Sequence, residues 1–190
     1  LGVPEIAGTQ EIELGRIHAF PNHPFKVLDD ERMDMLVESI RENGILNPVI
    51  VRPDKNGDYE MISGHRRLHA AGIVGLSKIP AIVKEMSDDE AIIKMVDANI
   101  QREELLPSEK AYAFKMKLDA MKHQGGRTDI TSGQNGQKLK GTVSRDILAE
   151  QVGQSKNQIQ RFIRLTELIS ELLDMVDEKK IALNPAYELS

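Results

Sequence analysis

Ser63-Gly64-His65-Arg66-Arg67 joins a short apolar stretch to a helical one. A glycine at such a bend lets backbone amides approach an anion closely. The first turn of the helix carries unsatisfied N–H groups, and each guanidinium offers a planar fork matched to phosphate oxygens. The chemistry predicted for Gly64, His65, Arg66 and Arg67 is therefore phosphate binding. A second cluster, Asn99-Ile100-Gln101-Arg102, adds amides and another guanidinium. The plainer alternative is that Arg66 and Arg67 pair with acids such as Glu60 or Asp97, while Asn99 and Gln101 satisfy backbone groups at a helix end. His65 and His69 stand one helical turn apart and suit a metal ion, but no third ligand is evident in the sequence.

A different chemistry is written further along. Ser144 is placed to cap a helix that turns Ile147, Leu148, Ala149 and Val152 inward, Gly153-Gln154 make a short turn, and Ser155 caps a second helix carrying Ile159, Phe162, Ile163 and Leu165. This is helix-turn-helix spacing over about 144–166. The second helix presents Ser155, Lys156, Asn157, Gln158, Gln160 and Arg161 in its first turns, with Ser144 and Arg145 opening the first helix. Asn and Gln pair bidentately with adenine, and Lys or Arg with guanine, so these residues suit base readout in a major groove. A helical hairpin used only as scaffolding is the competing explanation. Charge favours DNA: residues 122–164 hold eight basic side chains and three acids, about +5, within a chain of net charge −5.

The elements that must hold these groups follow from periodicity. Glu11 to Leu14 reads as a strand and Asp29 to Asn43 as an amphipathic helix with Met33, Leu36, Val37 and Ile40 on one stripe, ended by Gly44. Pro48 to Arg52 and Tyr59 to Ser63 form a hairpin around Asp54-Lys55-Asn56-Gly57. A helix over Arg66 to Ile73, a strand over Ile79 to Lys84 and a helix over Asp88 to Asn99 behind Ser87 complete an alternating α/β pattern. From Pro107 the signal is wholly helical, starting with Ser108 to Lys122. The glycine-rich, apolar-poor segment 124–141 predicts a mobile loop, read as an insertion in preference to a basic DNA-touching arm. The expected fold class is α+β, with a first domain at 1–104 and a helical second domain at 105–190.

Composition narrows the function further. A chain of 190 residues with 40% hydrophobic content can bury a core. No stretch approaches the roughly 20 apolar residues of a membrane span, and the start lacks a signal-peptide pattern, so the expectation is a cytoplasmic protein without a membrane partner. Without cysteine there are no disulfides, thiolate metal sites or cysteine nucleophiles, and with 4% aromatics base stacking is a poor binding mode. No pair of carboxylates stands out as a nuclease metal site.

Several motifs in order then carry a family resemblance from about Leu14 to Ser190: Asn22-His23-Pro24-Phe25-Lys26, Gly44-Ile45-Leu46-Asn47-Pro48, Ser63-Gly64-His65-Arg66-Arg67, Asn99-Ile100-Gln101-Arg102-Glu103-Glu104, Leu106-Pro107-Ser108-Glu109-Lys110-Ala111, the helix-turn-helix and Asn184-Pro185-Ala186. The chain resembles partition proteins of the ParB, Spo0J and Noc type, which bind centromere-like DNA sites and act as CTP-dependent clamps. The resemblance implies a ParB/sulfiredoxin-like first domain followed by an all-α helix-turn-helix domain. It implies that Gly64, His65, Arg66 and Arg67 hold CTP, that Asn99, Gln101 and Arg102 lie near phosphate and Mg²⁺ with Asn99 as a metal ligand, and that Lys26 adds charge. Two departures stand out. His65 replaces the glutamate of the family's Gly-Glu-Arg-Arg motif, and Ala98 replaces the acidic residue of its Glu-Asn-x-Gln-Arg motif. Alanine offers Mg²⁺ no oxygen, so the resemblance argues for nucleotide binding more strongly than for CTP hydrolysis. It further implies a homodimer, a dimerisation segment beyond Ser190, a ParA-type ATPase partner and association with the nucleoid or a plasmid. Two competing functions are a site-specific transcription regulator or nucleoid-occlusion-like factor without nucleotide switching, and a ParB-like metal-dependent nuclease.

Overall fold

In β3 (Val49–Pro53), Val49 and Val51 are fully buried and Ile50 between them is only partly so; Ile79 and Ala81 alternate in the same way in β5 (Lys78–Val83). Side chains of period two put one face of each strand on a core. The structure, a computed structural model, describes residues 8–102, 104–127 and 136–190. With β1 (Thr9–Glu13), β2 (Ile17–His18) and β4 (Tyr59–Ser63), the strands form a mixed sheet in the order β1-β5-β3-β4-β2. The β1/β5 and β3/β4 pairs are antiparallel, and β3/β5 and β2/β4 are parallel. The hairpin turn forms where Asn-Gly was read: Asp54 Oδ1 accepts the amides of Asn56 and Asp58 at 2.8 and 2.9 Å, and Gly57 takes φ +86°.

Two helices cover the core. Helix α1 (Glu31–Asn43) buries Met33, Val37 and Ile40, and α2 (His65–Val74) buries Ala70 and Ala71 against the same cluster. Asp30 caps α1 by accepting the Met33 amide at 2.9 Å, so the helix starts two residues later than periodicity indicated.

Beyond Ser87 the chain is helical: α3 (Asp88–Asp97), α4 (Pro107–Arg127), α5 (Gly136–Val152), α6 (Lys156–Arg164), α7 (Ser170–Asp177) and α8 (Leu183–Leu189). Their core gathers Phe114, Leu118, Leu148, Ile159, Phe162 and Leu165. Pro107 opens α4, whose first turn is tied down by Asp177: its carboxylate accepts the Ser108 amide at 2.9 Å and the Ser108 hydroxyl at 2.5 Å. The fold is α+β, as expected.

Three local readings change. The compact units are Leu1–Ser87 and Asp88–Ser190, whereas the motif pattern placed a boundary near 104; α3 packs on α4, and a helix following a strand is ambiguous in sequence. Helices α4 and α5 reach into both ends of the segment 124–141 expected as a loop, and its centre, 128–135, lies outside the described residues. Ser144 does not stand at a helix start: α5 begins at Gly136 and runs through Ser144, which is buried.

Candidate functional site

Gly64 makes the corner between β4 and α2 at φ +117°, and a Cβ there would lie 2.5 Å from Val49 Cγ1. Both the dihedral and the space demand glycine. Gly64 at the N-cap brings no side chain of its own to the first turn of α2, where backbone amides can meet an approaching anion. The arginines are only partly available. Arg66 Nη2 donates to Asp30 Oδ1 at 3.2 Å, the same oxygen that caps α1. Arg67 Nη1 donates to the carbonyls of Asn47 and Pro48 at 2.6 and 2.8 Å, pinning the segment that leads into β3, and burial pulls its guanidinium below its ordinary pKa.

Around this corner the segment before α1 folds down onto α2. The His65 ring stacks on His23 with centroids 3.7 Å apart, and His23 meets Phe25 edge-on at 5.5 Å. His69 Nε2 lies 2.7 Å from Asp29 Oδ1, and Lys26 is exposed on the same segment. The structure thus brings Gly64, His65, Arg66 and Arg67 beside the segment that holds Lys26, and it adds two carboxylates, Asp29 and Asp30, that the motif reading passed over. Their signal in sequence was an Asp pair just ahead of an amphipathic helix. The acids expected for the arginines are used elsewhere: Glu60 Oε2 takes Arg52 Nε at 2.5 Å in a buried pair, and Asp97 takes Lys117. Among the described residues no three His, Cys, Asp or Glu side chains converge as a metal cage.

Asn99, Gln101 and Arg102 belong to the other unit. Asn99 is buried and its Nδ2 donates to Met95 O at 2.8 Å, while Gln101 and Arg102 are exposed. The Asn99 amide therefore serves the end of α3, and with Ala98 beside it this segment offers Mg²⁺ no evident carboxylate of the family kind.

Helices α5 and α6 meet at a short turn. Gly153 turns the chain at φ +64°, and Ser155 Oγ accepts the Gln158 amide at 3.1 Å to start α6. Ile159 and Phe162 face the core; Ser155, Lys156, Asn157, Gln158 and Arg161 are exposed, and Gln160 partly so. Arg145 is half-buried in α5, and Lys156 Nζ sits 2.6 Å from Asp146 Oδ1. Arg161 is held from the side: Nη1 donates to Asn184 Oδ1 at 3.1 Å, and its guanidinium lies 5.9 Å from the centre of the Tyr187 ring, with Arg164 at 5.3 Å. Ser155, Asn157, Gln158 and Arg161 together with residues 182–184 line a recess of about 590 Å³. The contribution of α8 to this surface was legible only as the Asn-Pro-Ala motif, with no role attached.

Comparison with known proteins gives four findings. The ParB N-terminal domain family matches residues 4–100. The chromosome-partitioning protein Spo0J of Thermus thermophilus is 31% identical over 183 residues, covering 96% of this chain and 60% of the relative. A nucleoid occlusion protein of Listeria monocytogenes is 32% identical over 182 residues, covering 95% of this chain and 56% of the relative. This chain thus spans 56–60% of these two relatives' length. Among solved structures, the C-terminally truncated chromosome-partitioning protein ParB from Caulobacter crescentus, complexed to the centromeric parS site, shares the fold. Its TM-score is 0.56 at 22% identity, covering 95% of this chain and 83% of that one.

Proposed function

This chain belongs to the ParB N-terminal domain family, and from that premise we propose that it is a site-specific DNA-binding partition protein acting as a CTP-dependent clamp. The helical unit reads a centromere-like duplex site, and the strand unit holds CTP at the Gly64 corner. The observation that carries the reading is α6: a Ser155-capped helix with a buried Ile159/Phe162 stripe and an outward row of Lys156, Asn157, Gln158 and Arg161. Amides and cations at successive exposed positions are the donors and acceptors that base edges require. Arg145 and Gln160 are partly exposed, whereas Ser144 is buried and is not offered to DNA.

On the nucleotide side, the N-terminal end of α2, the glycine corner and the Arg66 and Arg67 cations favour a triphosphate, with His65 and Lys26 beside it. Mg²⁺ is carried only as what the resemblance implies for the second motif, in which Gln101 and Arg102 are exposed and the Asn99 amide bonds Met95 O. With alanine at 98, the reading is CTP binding without a requirement for hydrolysis. A homodimer and a ParA-type ATPase partner on the nucleoid or a plasmid complete it. A second reading, a transcription or nucleoid-occlusion regulator without nucleotide switching, is favoured by the existing engagements of Arg66 with Asp30 and of Arg67 with two carbonyls. Duplex selection from a random pool, followed by equilibrium binding of labelled CTP with ATP and GTP as controls, decides between them. Selective CTP retention with a defined duplex sequence supports the clamp, duplex binding without nucleotide retention supports the regulator, and absence of both overturns the assignment.

A further inference from the structure

Lys117, in the middle of α4, is 1% exposed. Its Nζ donates to the Asp97 carboxylate and, at 2.5 Å, to Gln151 Oε1. Asp97 is the last residue of α3, and Ala98 to Arg102 follow it directly; Gln151 is the penultimate residue of α5, and Val152 leads into the Gly153-Gln154 turn and Ser155. One desolvated ammonium therefore sits where the second polar motif begins and where the helix-turn-helix bends.

We propose that Lys117 is a positioning residue that couples the Asn99–Arg102 segment to the turn in front of the DNA-reading helix. An ammonium removed from water depends on every acceptor it has, so loss of either partner leaves the other bond to be remade. Both partners lie at helix C-termini, whose partial negative charge holds the cation between them. The bond from Asn99 to Met95 O fixes the same end of α3, so a shift at Asp97 reaches the motif without slack. A change at either segment thereby biases the geometry of the other, the physical content of a coupling free energy. The identities of the ligands at the two ends rest on the function proposed above; the coupling itself does not.

Hydrogen–deuterium exchange on the full chain tests this. Asp97 is half-exposed and Gln151 exposed, so Asp97→Asn and Gln151→Ala alter one acceptor each without opening a cavity, even if Lys117→Met fails to fold. Gln151→Ala should speed amide exchange across 98–102 by about threefold or more, and Asp97→Asn should do the same across 153–158. Effects confined to each variant's own helix end would overturn the proposal, because a lysine that only fills the core transmits nothing. In a second arm, the ratio of duplex dissociation constants with and without CTP and Mg²⁺ should move toward one in Asp97→Asn. Crossed exchange in the two variants, together with a wild-type chain that binds neither CTP nor duplex, supports the coupling and sinks the assigned ligands.

Discussion

At the scale of single residues, Gly64 is tightly constrained. Its φ of +117° lies outside what an L side chain adopts readily, and an added methyl would collide with Val49. We expect Gly64→Ala to lower stability by about 1–3 kcal/mol and to displace the α2 start, read as a lower thermal midpoint and weaker triphosphate binding. A second residue-level expectation concerns pH. His18 Nε2 lies 2.9 Å from Asp54 Oδ2, joining edge strand β2 to the hairpin turn. The hydrogen bond to Asp54 raises the His18 pKa above 6.5 against the opposing effect of burial. For Asp54, burial acts upward but is outweighed by the bonds from His18 and from the amides of Asn56 and Asp58, and its pKa falls below 3.8. The histidine's contribution is thus complete below 6.5 and is lost as pH rises through its folded value; the aspartate's is present above 3.8 and lost on acidification through its own. Thermal midpoints of wild type and His18→Gln, compared at about pH 5 and pH 8, should differ more at the acid end. An equal gap at both would refute the link.

Elements depend on their ends. Helix α7 closes with Lys179 at φ +61°, where the amides of Lys179 and Lys180 return to Val176 O and Met175 O. A β-carbon in this left-handed conformation costs about 1 kcal/mol relative to glycine. Lys179→Gly should therefore raise the denaturation free energy by about that amount, measured in urea; no gain would mean that the lysine side chain offsets its own strain. The capping pattern also explains where periodicity misled. Asp30 and Ser155 were recognisable as caps because a helix's first amides need an acceptor, and Ser155 was read that way. Ser144 carries the same signal but sits inside a longer helix, α5, because a serine signals a helix start only where the preceding backbone leaves the helical conformation.

For the whole molecule, charge distribution sets the DNA prediction. The acidic total of −5 coexists with the basic stretch 122–164, so duplex binding should weaken steeply with salt. Replacing Lys156 or Arg161 by Ala should reduce the slope of log affinity against log salt by about one if that side chain meets phosphate. An unchanged slope with relaxed sequence preference would instead mark it as a base reader.

What this chain's residues announced on their own were the local signals: alternation in Val49–Val51 and Ile79–Ala81, the Asn-Gly turn, the Gly64 corner, and the Ser155 cap with its buried Ile159/Phe162 stripe. Each depends on interactions within a few neighbours, which a linear string records. Family membership was legible as well, because ordered motifs accumulate specificity. The partners of the charges were not. That Arg66 meets Asp30, Arg67 the Asn47 and Pro48 carbonyls, and Lys117 both Asp97 and Gln151 was decided by tertiary packing. Long side chains choose among acceptors far apart in sequence, and only the burial that packing creates makes one choice worth more than the water it displaces.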